Sequence, residues 1–260
     1  MTAIDSRISA VVNTYNAEKH LDKVLSALEG FDEIVVCDME STDSTRDIAM
    51  RYGARIVTFP KTNHHSAEPA RTFAIQSAAN PWVLVVDADE IVTPELLSYL
   101  YDRISDPECP AGLYIPRKNY MGGIFMRSSY PDAQLRFFKR DGTVWPPYVH
   151  TFPTVDGPVE KIPAARQDLA LVHLASTVFG TVDKLNHYTE NELEKRKGRL
   201  HPTLCNMIVV PAFHFFRKYV IQGGFRYGRA GLIEAVQKGY YKFLMLAKAY
   251  ERQEEEKLKS

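Results

Sequence analysis

A buried strand that ends in a cluster of acidic side chains constrains the fold of this chain more than any other feature. The segment reads Trp82-Val-Leu-Val-Val-Asp87-Ala-Asp89-Glu90. A continuous apolar run of this kind is typical of a strand that is covered on both faces. Three carboxylates within four residues repel one another unless a cation shares them, and oxygen ligands suit Mg²⁺ or Mn²⁺. We therefore expect a divalent metal site at the end of this strand; the alternative is a solvated acidic turn that begins the next helix.

The first 105 residues alternate apolar runs with amphipathic segments. The apolar runs predict strands over Ile8–Asn13, Glu33–Asp38, Arg55–Phe59 and Trp82–Asp87. The segments between them predict helices, and Thr93-Pro94-Glu95 is a typical start for a further helix. Strands that alternate with helices of this length are joined by right-handed crossovers. We therefore predict an α/β fold with a mostly parallel, Rossmann-like sheet flanked by helices.

Polar residues close three of these predicted strands. Asn13-Thr14-Tyr15 follows the first strand, Asp38 ends the second, and Asp87 with Asp89 closes the fourth. In an open α/β sheet, ligands bind beyond the carboxyl ends of the strands. We expect these side chains to meet at one edge of the sheet.

The rest of the chain changes character twice. Prolines and aromatic residues are dense from Pro107 to Val182, where the strand candidates are Gly112–Asn119, Gln134–Lys139 and Leu169–His173. This stretch predicts the mixed-sheet half of the same domain, and from Asp183 onward the pattern is helical. The predicted organisation is one domain over residues 1–182 and a C-terminal helical extension over residues 183–260.

Charge balance and cysteine content argue against several classes of protein. The 32 basic and 32 acidic side chains give no general electrostatic reason to expect a nucleic-acid partner. Cys37, Cys109 and Cys205 are odd in number and lack Cys-x-x-Cys spacing, which favours a reducing compartment over zinc or disulfides. The first residues lack an apolar signal segment, and no stretch reaches the roughly 20 apolar residues that span a bilayer. We therefore expect a cytoplasmic protein.

Four motifs in order give the chain a resemblance to a known family. They are Val11-Val-Asn-Thr-Tyr-Asn-Ala-Glu18, Asp38-Met-Glu-Ser-Thr-Asp43-Ser-Thr45, Ala70-Arg71 and Asp87-Ala-Asp89-Glu90. With this order and spacing the chain resembles the inverting glycosyltransferases of family 2, which have the GT-A fold. Gln134-Leu-Arg136-Phe-Phe-Lys, His173 and Lys184-Leu-Asn186-His-Tyr188-Thr are similar to bacterial enzymes that build the lipopolysaccharide core.

The resemblance implies a nucleotide-diphospho-sugar donor, which we expect to be UDP-linked, and a glycan or glycolipid acceptor of the cell envelope such as lipopolysaccharide core. Residues 1–182 would form the nucleotide-sugar-binding and catalytic domain. Asp89 would hold Mg²⁺ or Mn²⁺ against the diphosphate, Asp87 would contact the ribose or help to hold the cation, and Asp38 would accept a hydrogen bond from the nucleobase. The donor pocket would be completed by Thr14, Tyr15, Glu18 and Arg71.

Each of these residues also has a purely structural interpretation. Asp38 can begin a turn, Glu18 can be an acid in the first turn of a helix, and Tyr15 can be a packed ring with a solvated hydroxyl. Arg71 can be an ordinary surface residue of a helix.

An inverting transfer needs a base that deprotonates the acceptor hydroxyl. Asp132, in Tyr130-Pro-Asp132-Ala-Gln134, is the best candidate, and a Pro-Asp turn is its structural alternative. Related enzymes often carry a His-Glu pair where this chain has His150-Thr151, which puts a base at that position in doubt. Glu160 is a more distant candidate.

Three further side chains are candidate ligands. His173 ends an apolar strand from which GT-A enzymes often place a histidine on the metal or the diphosphate; the alternative is a hydrogen-bonded core histidine. Arg136 and Lys139 are candidates for binding phosphate or substrate, or are charges at a sheet edge.

The C-terminal region is rich in aromatic and basic residues, including Phe213, Phe216, Arg217, Arg226 and Arg229. It predicts either a peripheral contact with the inner face of the cytoplasmic membrane or a helical cap on the catalytic domain. Related proteins often have an acid within the Gly224-Phe-Arg-Tyr-Gly228 motif, and here it is missing.

Two other functions remain open. A sugar nucleotidyltransferase also combines an α/β sheet with acidic metal ligands, but it usually has a glycine-rich phosphate loop after the first strand, where this chain has Asn13-Thr-Tyr-Asn-Ala-Glu18. A sugar-nucleotide-binding module without turnover is the non-enzymatic alternative.

Overall fold

The computed structural model describes residues 6–62, 64, 66–148, 151–174, 182, 185–186, 188–190, 192–193, 196 and 200–259. The chain divides into two compact units. The first unit is Met1–Asn119 with Ser129–Leu174, and the second unit is Tyr120–Ser128 with Ala175–Ser260. The domain boundary expected after residue 182 stays a prediction, because residues 175–181 and 183–184 lie outside the described residues.

The described strands and helices alternate through the first half of the chain. The strands are β1 (Ile8–Thr14), β2 (Glu33–Asp38), β3 (Arg55–Thr58), β4 (Trp82–Asp87), β5 (Glu90–Ile91), β6 (Gly112–Ile115), β7 (Arg117–Met121), β8 (Ile124–Phe125), β9 (Gln134–Lys139), β10 (Val159–Lys161) and β11 (Leu171–His173). The helices are α1 (Glu18–Ser26), α2 (Thr45–Arg51), α3 (Glu68–Gln76), α4 (Pro94–Ile104), α5 (Leu204–Phe216) and α6 (Gly228–Lys259).

A seven-stranded sheet has the order β10-β6-β9-β4-β1-β2-β3. β3, β2, β1 and β4 are mutually parallel, whereas β9 runs antiparallel to both β4 and β6. The predicted α/β fold, with its mostly parallel sheet and a mixed second half, is confirmed. The register pairs Asn13 with Asp87 and Thr14 with Asp38, so the polar ends of these strands share one edge.

Both faces of the parallel strands are covered. Val12 of β1 and Leu84 of β4 pack in one buried cluster with apolar residues of α1 and α4, and Val11 and Val85 pack in a second cluster with residues of α3. Successive residues of a strand point to opposite faces. The continuous apolar run at Trp82–Asp87 therefore supplies two cores at once.

The stretch expected as one strand over Gly112–Asn119 is two strands in two sheets. β6 ends before Pro116, which has no N–H for a ladder, and β7 begins after it. The second sheet has the order β5-β11-β7-β8. Within it, His173 of β11 is in register with both Glu90 of β5 and Asn119 of β7. The chain thus passes from the first sheet to the second at Pro116, and this brings β7 and β11 to the acidic end of β4.

The second unit contains the two long helices of the described chain. α5 continues into one turn of π-helix, Arg217–Ile221, and a 3₁₀ turn at Gly224–Tyr227 leads into α6. The helical stretch Leu204–Ile221 has a mean hydropathy of 1.2, and by length and composition it is able to cross a membrane. The expectation that no stretch approaches that limit is therefore corrected for these 18 residues.

Truncation of a core ring tests the packing of the mixed half of the sheet. Phe137 of β9 is fully buried and stacks on Trp82 with ring centroids 5.1 Å apart. Phe137→Ala should lower the free energy of unfolding by about 3–5 kcal/mol, because it removes a buried ring and leaves a cavity. Phe152→Ala, at a half-exposed ring of the same unit, should cost about 1 kcal/mol or less. Urea unfolding measures both; equal losses would contradict the packing described.

Candidate active site

The acidic end of β4 is surrounded by arginines from three other elements. Asp87 accepts a hydrogen bond from Arg71 of α3 at 2.7 Å. Arg136 of β9 contacts both oxygens of the same carboxylate, with Nη1 3.3 Å from Oδ1 and Nη2 against Oδ2. Both guanidinium groups are buried. Two positive charges therefore hold one carboxylate at the sheet edge.

The ionisation of Asp87 follows from these partners. Burial alone would raise its pKa, but the charges of Arg136 and Arg71 outweigh that effect and hold the pKa of Asp87 well below its usual range. Asp87 is thus an anion throughout the physiological pH range.

The indole of Trp145 packs against both arginines. The guanidinium carbons of Arg71 and Arg136 lie 4.5 and 5.6 Å from its ring centroid. Thr72 fixes the backbone of Trp145 by exchanging two hydrogen bonds of 2.9 Å with it. A cation over the face of an indole is attracted by the ring. Trp145 therefore packs on both arginines and helps to hold them in position.

A second chain of ion pairs leads away from Asp87. Glu90, fully buried, accepts hydrogen bonds from Arg117 at 2.8 Å and from Arg136 at 3.4 Å. Its other oxygen accepts the backbone N–H of Asp87 at 3.0 Å. Burial acts to lower the pKa of Arg117, but Glu90 and Asp132 outweigh it and raise that pKa, so Arg117 stays charged.

Arg117 also holds Asp132. Its Nε and Nη2 lie 3.0 and 2.7 Å from Oδ2 of Asp132, and Asn119 donates to the same oxygen at 2.8 Å. Gln134 donates to Oδ1 at 3.1 Å. Asp132 has a backbone φ of 38°, in the left-handed region that Asp tolerates better than most residues. Asp132 is therefore fixed in place by four hydrogen bonds.

His173 connects this group to Asp89. Its Nδ1 lies 2.8 Å from Oδ1 of Asn119, and its Nε2 lies 3.4 Å from Oδ2 of Asp89. An amide oxygen accepts, so Nδ1 carries the proton in the neutral ring, and the lone pair of Nε2 is directed toward Asp89.

This pair fits a divalent cation. A histidine that ligates a metal usually donates its other ring N–H to an oxygen, as His173 does to Asn119. The described residues contain no group of three or more His, Cys, Asp or Glu that is able to hold a metal alone. Mg²⁺ sites commonly use one or two protein ligands together with substrate phosphates, so a two-ligand site suits a phosphate-bearing substrate.

His20 of α1 is a further neighbour of this pair. Burial and the charge of Lys19 lower its pKa, whereas the charge of Asp89 opposes the shift. His20 is therefore mostly neutral at pH 7.

Asp38 is buried at the end of β2 and accepts hydrogen bonds from several groups of its own unit. Thr14 Oγ1 donates at 3.1 Å, Ser41 donates from its hydroxyl at 2.5 Å and from its N–H at 3.1 Å, and Arg46 donates at 3.2 Å. The carboxylate thus fixes the loop that follows β2.

Glu18 joins two loops at the same edge. Its side chain accepts the N–H of Ser44, and its own N–H donates to Asp43, both at 3.1 Å. The nearby ring of Tyr15 is half exposed, with Lys61 Nζ 4.7 Å from its centroid. Thr14, Tyr15, Glu18 and Asp38 therefore lie together on the β1 and β2 side of the edge.

The structure unites most of the residues singled out in the sequence, with some exceptions. Glu160 pairs with Arg103 at the end of α4, and Lys139 lies over Trp82 at the start of β4, so neither joins the cluster. Thr151 donates to the carbonyl of Tyr148 at 2.6 Å. His150, Lys184 and His187 lie outside the described residues.

Sequence reasoning assigned no role to three members of the cluster, namely Arg117, Asn119 and Trp145. It grouped Glu90 with the carboxylates that share a cation, whereas the structure pairs Glu90 with arginines. A signal was present only in part: Asp132, Gln134 and Arg136 alternate with small or apolar residues, whereas Lys118 interrupts such a pattern between Arg117 and Asn119. A period of two places such residues on one face of a strand.

Comparisons with known proteins agree with this fold. A model of the family described as Glycosyl transferase family 2 matches residues 9–156. The chain is 26% identical over 253 residues to the lipopolysaccharide core biosynthesis glycosyltransferase LpsC of Rhizobium meliloti (strain 1021), covering 94% of this chain and 92% of LpsC. It is 25% identical to an uncharacterized glycosyltransferase of Rickettsia bellii, covering 95% and 87%. Among solved structures, residues 1–349 of S. aureus TarS match with a TM-score of 0.51 and 16% identity, covering 95% and 92%.

The low pKa of Asp87 predicts a pH-dependent contribution to stability. An unfolded Asp has a pKa of about 3.9, so the contribution is complete above about pH 5 and is lost as the pH falls toward the lower folded pKa. Asp87→Asn should lower the free energy of unfolding by about 2–4 kcal/mol at pH 7, because it leaves the buried Arg71 without its carboxylate and the buried Arg136 with only Glu90. The deficit should shrink below about pH 4.

Urea unfolding at pH 7, 5 and 3.5 measures this difference. Asp141→Asn, at an exposed ion pair, is the matched control and should change stability by about 0.5 kcal/mol or less at each pH. A deficit for Asp87→Asn that stays constant down to pH 3 would show that the carboxylate is not held as an anion.

Proposed function

Because the chain belongs to glycosyl transferase family 2, we propose that it is an inverting, metal-dependent glycosyltransferase that uses a nucleotide-diphospho-sugar. The observation that carries the proposal is the convergence of three carboxylates at one sheet edge. Asp87 and Asp132 are joined through Arg136, Glu90 and Arg117. Asp89 is connected to Asp132 through His173 and Asn119. A diphosphate donor needs cationic partners and a metal site, and displacement needs a fixed carboxylate. The arginines supply the cationic partners, Asp89 with His173 is the proposed metal site, and Asp132 is the fixed carboxylate.

A UDP-linked donor is the best-supported choice. TarS, which shares the fold, has been crystallised in complex with UDP and with UDP-GlcNAc. In this chain, Asp38 is proposed to accept a hydrogen bond from the nucleobase, and Thr14, Tyr15 and Glu18 are proposed to line the base and ribose pocket. Asp87 is proposed to contact the ribose, held in place by Arg71 and Arg136.

Asp89 and His173 are the residues proposed to hold Mg²⁺ or Mn²⁺. A divalent cation bound there supplies Lewis-acid stabilisation of the diphosphate leaving group. Asn119 keeps the His173 ring in the tautomer whose Nε2 faces the site. Arg136 adds a fixed positive charge in contact with Asp87.

Asp132 is proposed as the base. One of its carboxylate oxygens takes the proton of the acceptor hydroxyl as the acceptor oxygen bonds to the anomeric carbon and the bond from that carbon to the phosphate oxygen breaks. The reaction is one displacement without a covalent sugar-enzyme intermediate. Arg117 and Asn119 orient the carboxylate, which reduces the entropy lost on reaching the transition state.

The acceptor is proposed to be a cell-envelope glycan or glycolipid such as lipopolysaccharide core. LpsC, which matches over nearly the whole chain, is described as a lipopolysaccharide core biosynthesis glycosyltransferase. Such an acceptor is attached to a membrane lipid. We therefore also propose that the protein acts in the cytoplasm, peripherally at the inner face of the cytoplasmic membrane.

Asp132→Asn separates chemistry from donor binding. It should lower sugar transfer to lipopolysaccharide core oligosaccharide by a factor of about 10²–10⁴, because the base is lost while the hydrogen bond from Arg117 to the side-chain oxygen is retained. UDP affinity in Mn²⁺, measured by isothermal titration calorimetry, should be unchanged. Asp89→Asn should instead weaken UDP binding in Mn²⁺, to about the level that the wild-type protein shows in EDTA.

A panel of UDP-, GDP- and dTDP-sugars with Mn²⁺ in a thermal-shift assay identifies the donor, since a ligand that binds only the folded state raises its melting temperature.

Full transfer by Asp132→Asn would overturn the base assignment. Donor binding without transfer or hydrolysis by the wild-type protein would favour a binding module. Formation of a nucleotide-sugar from a nucleoside triphosphate and a sugar phosphate would favour a nucleotidyltransferase.

A further inference from the structure

The second unit exposes one apolar side of a helix. Large apolar side chains face solvent along α5 and the π-helical turn after it, and only 6% of Leu204–Ile221 is buried. We call Ile208, Val209, Phe213, Phe216 and Val220 the apolar face; their exposed fractions are 63%, 55%, 54%, 51% and 43%. At 3.6 residues per turn these positions share one side of the helix. An isolated exposed apolar residue is ordinary, but a continuous face of five marks an interaction surface.

The opposite side of this helix is already used within the second unit. Gly239 of α6 lies against Pro211 and Phe215 so closely that an added side-chain carbon would come within 3.1 Å of the Pro211 carbonyl oxygen. Lys218 pairs with Glu234 of α6 at 2.8 Å. The apolar face is therefore what remains after α5 and α6 have packed together.

The surroundings of the apolar face are basic. From His201 to Ile233 the sequence contains four basic residues and no acidic residue, although the whole chain is balanced at 32 to 32. Arg217, Arg226 and Arg229 of this segment are exposed. An exposed helix face of Phe, Ile and Val that is followed along the chain by exposed arginines is typical of a segment that lies in the membrane interface.

We propose that the apolar face docks on the surface of a bilayer that contains anionic lipid, with α5 parallel to the membrane plane. Arg217, Arg226 and Arg229 meet the lipid phosphates, and the rings of Phe213 and Phe216 enter the boundary between headgroups and acyl chains. The use of this docking rests on the proposed function, because a lipid-linked acceptor would be reached from the membrane surface. Binding to the bilayer itself requires neither donor nor acceptor.

A parallel orientation fits better than a spanning one. The 18 residues of Leu204–Ile221 are long enough to cross the hydrocarbon, yet α6 packs on one side of this helix. A spanning helix would carry the Lys218–Glu234 pair and the charged side chains of α6 with it into the hydrocarbon. Charges at that depth are strongly disfavoured.

A second copy of the chain fits less well than a lipid surface. A symmetric dimer would bring the same patch from both copies together, with basic residues facing basic residues. No acidic side chain between residues 201 and 233 is available to compensate them. Anionic phosphates supply the missing charge.

Flotation of the whole protein with vesicles tests the proposal. The wild-type protein should float with vesicles of 70% phosphatidylcholine and 30% phosphatidylglycerol at low salt, and at least tenfold less with pure phosphatidylcholine or in about 0.5 M NaCl, because salt screens the attraction to the phosphates. Phe213→Ser with Phe216→Ser should lower the bound fraction at least tenfold. Phe73→Ser with Phe152→Ser, at half-exposed rings of the first unit, is the matched control and should float like the wild type.

Arg226→Gln with Arg229→Gln provides a second variant at exposed positions, where misfolding is not expected. It should lower the bound fraction about tenfold and weaken its salt dependence. UDP binding in Mn²⁺ by every variant shows that the nucleotide-binding function is separate, so a failure of flotation and a failure of the proposed function are distinguishable. A wild-type protein that does not float with anionic vesicles would overturn the proposal. So would flotation that both variant pairs leave unchanged, or a dimer in sedimentation that the Phe pair dissociates while vesicles are not bound.

Discussion

Carboxylates can gather at the end of β4 only because guanidinium groups from distant parts of the chain balance them. Asp87 and the fully buried Glu90 share Arg136, and each has a further arginine of its own. An unpaired buried charge is far more costly than a paired one. Loss of any one of these partners would therefore leave a charge of the network with fewer opposite charges than it needs. The mixed half of the fold, which contributes Arg117 and Arg136, is as necessary to the edge as the parallel half that contributes the acids.

The same arginines connect the two chemical tasks proposed for the site. Arg136 contacts Asp87, on the side proposed for the donor, and also Glu90; Arg117 contacts Glu90 and also Asp132, the proposed base. A displacement of Glu90 would therefore shift both arginines, and with them the carboxylates of Asp87 and Asp132. Because side chains in such a network are coupled, their substitutions should not be additive. The proposed base is held by four hydrogen bonds, and such fixed positioning favours catalysis by orientation.

Patterns that are local in sequence predicted the parallel half and its polar edge. A continuous apolar run and an acidic end were sufficient to place Asp87 at the same sheet edge as the end of the first strand, and Asp38 was expected there as well. The break at Pro116 was missed, because pairing of β7 with β11 depends on residues more than fifty positions apart. Arg117 and Asn119 look like ordinary polar positions of a strand until that pairing is known. Roles that depend on long-range register are therefore the ones that a single sequence does not reveal.

Net charge is a poor guide to the surface that a protein presents. A balance of 32 to 32 removes the general attraction to polyanions, yet residues 201–233 contain only basic charges beside an exposed apolar helix. A bilayer responds to this local arrangement, since its field fades within about 10 Å in physiological salt. When an enzyme and a lipid-linked acceptor occupy the same surface, their effective concentration rises, and weak binding of the acceptor at the catalytic edge is then sufficient. The neutral composition and the local excess of basic residues are therefore compatible: the first limits unspecific association, and the second is proposed to direct association to one surface.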